Sequence, residues 1–147
     1  MIATALHPFL VHFLVAAAAV FLLSRIPGRL SVALSPMRRF LCVLLLILFP
    51  LVVSAGILAR AYLLGHHVQG NERGLTVHLW MGVLTAIVWI PMVTEQILVK
   101  EEESASRKRS WFQRPWWWVL AASMLVATAF LGGELVYGSH GFAFPVK

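Results

Sequence analysis

Charge is scarce in this chain. Asp, Glu, Lys and Arg together supply 12% of its 147 residues, and 60% are apolar. A soluble domain carries about a quarter charged residues and is nearer half apolar. The shortage excludes a water-covered globular surface and indicates an integral membrane protein. Cysteine is rarer still. Cys42 is the only one, so it has no intramolecular disulfide partner and reads as a small packing residue. No Cys-x-x-Cys-His occurs, which excludes covalent c-type haem attachment. There is no internal repeat and no low-complexity tract, so residues 1–147 read as a single transmembrane domain. The first apolar run has no basic residue ahead of it, and its positive charges follow at Arg25 and Arg29. It is expected to stay as a helix inserted with its N-terminus outside, not to be a cleaved signal peptide.

Long apolar runs are what the chain has in abundance, and its mean hydropathy is +0.83. A spanning helix needs about 20 predominantly apolar residues. Four stretches qualify: Leu6–Leu23, Phe40–Leu64, Leu75–Val99 and Trp116–Tyr137. They are too long and continuous for barrel strands, so the predicted fold is all-α, a four-helix bundle in the bilayer. Orientation follows from the loops. Arg25, Arg29, Arg38 and Arg39 separate the first two spans, and Lys100, Arg107, Lys108, Arg109 and Arg114 separate the last two. The remaining loop has only Arg73 beside Glu72. Basic loops stay in the cytoplasm, which puts both termini outside, as in a multi-pass protein of the bacterial inner membrane. The net charge of +6 is then mostly a topology signal near anionic lipid and implies no nucleic-acid partner.

Punctuation along the chain refines this outline. Pro27, Gly28 and Pro36 predict a compact turn between the first two spans, and Lys100 to Arg114 a solvated extension. Trp111, Trp116, Trp117 and Trp118 are expected at the headgroup level, anchoring the last span. Pro50 and Pro91 fall inside spans, where they are expected to kink the helices and widen the bundle. Ala16–Ala19, Gly56 and Gly132–Gly133 allow close helix approach.

The six histidines, His7, His12, His66, His67, His78 and His140, all fall on the expected outer face. Random placement gives this about one time in thirty for such a topology. Imidazole is the common side-chain ligand for haem iron, copper and zinc. Pro8 suits a first helical position, which makes His7 a cap or a preceding residue and puts His12 just over one turn inside. Five residues correspond to about 140° of helix rotation, so the two rings point to different sides, each toward its own partner. His7 reads equally as a solvated interfacial residue or a ligand, and the deeper His12 as a ligand. His78 has a depth like that of His12, and adjacent antiparallel helices are expected to direct both into one gap. Gly82 and Ala86, inward on the His78 face, are expected to leave room for a macrocycle. His66 and His67 sit in a polar loop and read as solvent-exposed.

Glu134 is a carboxyl in or near hydrocarbon, and Arg60 is the matching cation at similar depth. They read as a structural ion pair or as cofactor ligands, with Glu134 partnering a histidine and Arg60 clamping a haem propionate. Tyr137 lies at the same mouth, and Gly138 and Gly141 let the chain carry His140 back over it.

The His-Pro-x-x-Val-His-Phe run at residues 7–13, His78 in the third span, and the Gly-Gly-x-Leu-Val-Tyr-Gly-x-His-Gly run at 132–141 together resemble a bacterial family of small four-helix membrane proteins of unknown function. Members occur alone or alongside cytochrome-type respiratory proteins. The likeness runs the length of the chain. It implies that His7, His12, His78 and His140 are the characteristic histidines and that the protein binds haem; it implies no reaction. Phe13-Leu14 stands where the family has Phe followed by Pro, a departure that leaves the histidines in place.

The expected function is that of a b-type cytochrome carrying electrons between membrane quinol and a periplasmic redox partner, within a larger respiratory assembly. His12 and His78 are the expected axial pair of one haem b, with His7 and His140 available for a second. Two rival classes are a non-haem copper or zinc protein and an accessory subunit without its own cofactor.

Overall fold

The computed structural model describes residues 2–65, 72–98 and 114–137. Helix α1 runs Ile2–Leu23, a short α2 Arg29–Leu34, a 3-10 turn Ser35–Met37, α3 Arg38–Gly65, α4 Glu72–Leu98 and α5 Pro115–Tyr137. In hydrocarbon every peptide group must find its partner within the element, which is why these apolar runs are helical. Four helices, α1, α3, α4 and α5, are long and apolar enough to cross a membrane. At about 1.5 Å per residue, the 28 residues of α3 reach beyond the hydrocarbon slab of about 30 Å into the headgroups.

Neighbouring helices follow chain order. α1 packs on α3, α3 on α4 and α4 on α5, and a lighter α1–α5 contact closes the ring. α1 therefore faces α4 across one diagonal, and α3 faces α5 across the other. Each long helix runs antiparallel to the next. One end of the bundle carries His7 and His78, and the other carries Arg25 and Arg38.

The core lies toward the arginine end. Phe21, Leu45, Trp89, Met92 and Val93 are fully buried there. Phe21 and Phe49 approach Trp89 with ring centroids at 6.3 and 5.6 Å, and Trp118 meets Phe21 at 5.4 Å. The Trp89 indole N–H donates to the Ala121 carbonyl at 2.9 Å, tying α4 to α5. Trp118 corrects the expectation that the whole tryptophan group anchors at the interface. Trp116 and Trp117 stack at 4.2 Å, but consecutive residues lie about 100° apart on a helix, and the third turns into the core.

Two further expectations change, the start of α1 and the content of the first turn. α1 begins at Ile2, not at Pro8, and Pro8 is inside it. A proline removes a single N–H bond, and unwinding in lipid would expose more peptide groups than that. α3 and α4 likewise run unbroken through Pro50 and Pro91. The turn between the first two spans contains α2, entered through Gly28 at φ +140, a backbone that favours glycine. Of the expected small-residue contacts, Ala17 and Ala18 are buried, whereas Ala16 and Ala19 are exposed.

Candidate functional site

The histidine end holds one pair of imidazoles. His7 comes from α1 and His78 from the diagonally opposite α4, and their ring centroids stand 6.1 Å apart with the planes at 80°. Both side chains are half-buried.

Each ring is seated by a glycine on a flanking helix. On α3, the Val52 carbonyl accepts a hydrogen bond from His7 Nδ1 at 3.1 Å. A Cβ on Gly56, four residues later, would lie 3.0 Å from His7 Cε1. Glycine thus uncovers the carbonyl one turn before it, and the imidazole takes the vacated surface. A carbonyl can only accept, so Nδ1 carries the proton, and in the neutral form of the ring the lone pair is at Nε2. α5 repeats the arrangement for His78. A Cβ on Gly132 would come within 2.9 Å of His78 Cε1, and the ring lies beside the Thr128 carbonyl four residues earlier. It makes no well-formed bond there: His78 Nδ1 is buried without a hydrogen-bond partner.

His12 is placed differently from expectation. It is exposed on α1, and its Nδ1 donates to the Pro8 carbonyl of its own helix at 2.6 Å. The expected His12–His78 pair is therefore replaced by His7–His78. The buried residues of α1 are Leu14, Ala17, Ala18 and Phe21. His7 lies two turns before Leu14 on the same stripe, whereas His12 lies about 200° round the helix from Leu14. That seven-residue spacing is the signal in the sequence that selects His7.

Ala86 is buried, and a Cβ on Gly82 would make ordinary contact with Thr128 Cγ2 at 3.9 Å. Just inward, the Thr85 and Thr128 hydroxyls bond at 2.9 Å. Toward the mouth, the buried residues among those described are small, Ala55 and Ala59 of α3.

Arg60 and Glu134 do not pair. Arg60 is half-buried on α3, its Nη2 donates to Thr76 Oγ1 of α4 at 3.3 Å, and its Nε is buried without a partner. Glu134 is exposed on α5. α3 and α5 lie on opposite corners of the ring, so similar depth does not bring the two charges together. Arg60 is one turn beyond Gly56, at the mouth above the imidazoles. Tyr137 ends α5; its side chain lies outside the described residues, as do His66, His67 and His140.

Among the described residues, no group of three or more His, Cys, Asp or Glu side chains is close enough to hold a metal ion. No protein-family model matches the chain, and neither a curated protein nor a solved structure is similar to it.

Proposed function

We propose that this protein is a membrane electron carrier that holds one haem b through His7 and His78. The observation that carries this reading is the facing imidazole pair on diagonal helices. A haem would need two imidazoles from the protein, and two are what the described residues bring together. Zinc asks for three or four protein ligands, and no such group is present among the described residues. His7 and His78, with ring centroids 6.1 Å apart, are the residues that would hold the iron. The carbonyl bond at His7 Nδ1 is the orienting contact that metal-ligating histidines use, and His78 Nδ1, buried and unpartnered, is a polar atom not spent on the fold.

A haem held by both imidazoles would supply a one-electron iron centre suited to electron transfer. The chain's own part is to hold the two rings in register, with Gly56 and Gly132 fixing their seats and Thr85–Thr128 closing the space beneath. Arg60, with a buried guanidinium N–H to offer at the mouth, is the group available to a propionate. In this reading the histidine end faces the periplasm of a bacterial inner membrane and exchanges electrons between quinol and an outside partner subunit. The nine basic residues of the two arginine-end loops support that orientation.

An absorbance spectrum of the purified protein tests the reading. A Soret band with low-spin features is expected, lost in His7→Ala and in His78→Ala and kept in His12→Ala. A haem-free protein, or a wild-type spectrum in the His7→Ala, His78→Ala double variant, overturns it. A cysteine placed at position 2 should react with a label only from the periplasmic side.

A further inference from the structure

The opposite end of the bundle gathers a second polar cluster, and the histidine pair makes no use of it. The four long helices and α2 build it. At the close of α1, Ser24 is fully buried. The first residue of α3, Arg38, donates from Nη2 to the Ser24 carbonyl at 2.8 Å and to Ser31 Oγ at 3.3 Å. Arg25 donates from Nη1 to Gln96 Oε1 of α4 at 2.8 Å and lies over the Trp118 indole of α5, with Cζ 5.2 Å from the ring centroid. Ser24 and Arg25 are consecutive, so the hydrogen bonds of Arg38 and of Arg25 start from adjacent positions of the chain.

Three N–H groups there are buried without a hydrogen-bond partner: Arg38 Nε, Gln96 Nε2 and Trp118 Nε1. Desolvated donors left unsatisfied are costly. Glu95 does not answer this need. It lies about 100° round α4 from Gln96, and its own Oε2 is buried with no partner. A tetrahedral oxyanion would satisfy these donors, because it offers several acceptor oxygens to a planar guanidinium fork. Next to the cluster along the chain, Leu23, Ile26, Leu30 and Phe40 are large exposed apolar side chains, suited to lie against acyl chains.

We propose that this cluster is a phosphate-group site, filled by the headgroup of an anionic phospholipid whose chains rest on the Leu23 and Phe40 surface. Arg38 and Gln96 supply the donors, and Arg25 supplies the second charge. The site is independent of any cofactor at the histidine end.

Native mass spectrometry of the purified full chain tests it by reading bound lipid. Wild type is expected to retain phosphatidylglycerol in preference to phosphatidylcholine. Arg38→Gln should lower the phosphatidylglycerol-bound fraction about tenfold, as for loss of a charge-assisted contact. Arg38→Lys keeps the charge but loses the fork, and should lower it in the same direction; it also serves if the glutamine variant fails to fold. Arg29→Gln with Arg39→Gln removes two exposed charges from the same end and should change retention less than about twofold. Diffuse attraction to anionic lipid predicts the reverse order, because the double variant loses more charge. Displacement of the lipid by millimolar inorganic phosphate would support the site with free phosphate as its ligand, and persistence would support the headgroup. No preference for phosphatidylglycerol, or a double variant that loses as much as Arg38→Gln, overturns the proposal.

Discussion

The two halves of the bundle are built on different terms. Toward the arginine end, large side chains from all four long helices interlock, and Trp89, Phe21, Leu45, Met92 and Val93 are fully buried. Toward the histidine end, the buried residues are small, two half-buried imidazoles occupy the centre, and glycines stand where the neighbouring helices meet them. Lipid tails are as apolar as leucine, so burial in a membrane stabilises mainly through van der Waals packing and hydrogen bonds. The arginine half has that packing and holds the bundle together. The histidine half gives some of that packing up. A site that positions a ligand is expected where local packing rules are broken and the rest of the fold offsets the loss.

If that division is right, substitutions should separate cofactor from stability. The largest effect is on the cofactor: His7→Ala or His78→Ala should abolish the low-spin spectrum while the thermal unfolding midpoint of the apoprotein moves little, measured by circular dichroism in detergent. Trp89→Ala should do the opposite. Emptying that fully buried site should lower stability by about 3–5 kcal/mol in a denaturation series, and protein that remains folded should keep the wild-type spectrum. Equal losses of spectrum and stability in both variants would erase the distinction between the halves.

Glycine variants sharpen it within the histidine half. Gly56→Ala and Gly132→Ala each place a methyl within about 3 Å of an imidazole carbon. Each should weaken cofactor retention about tenfold or shift its midpoint potential, even though alanine favours the helix by up to about 1 kcal/mol. Gly133→Ala, with nothing within 4 Å, should leave the cofactor unchanged. The smallest effect concerns the charges. A double-mutant cycle of Arg60→Gln and Glu134→Gln should give a coupling energy below about 0.5 kcal/mol, because the side chains share no partner. A coupling of several kcal/mol, as for a buried ion pair, would contradict the separation of α3 and α5.

The sequence by itself determined that four helices cross a bilayer and where they begin and end to within a few residues. Span length, apolar composition and the need to pair every peptide group within the helix are local properties, so they are readable without a neighbour. It also marked His7, His78 and Arg60 as residues with chemistry to offer. Only the tertiary structure decided which of them meet. Spans apolar on nearly every side carry little amphipathic signal, so rotation about each helix axis is set by packing, not by pattern. That rotation turned His7 inward and His12 outward, sent Trp118 into the core away from Trp116, and let Gly56 and Gly132 uncover carbonyls for imidazoles from other helices. The order of helices around the ring, a non-local property, put Arg60 and Glu134 on opposite corners, where equal depth in the membrane could not bring them into contact.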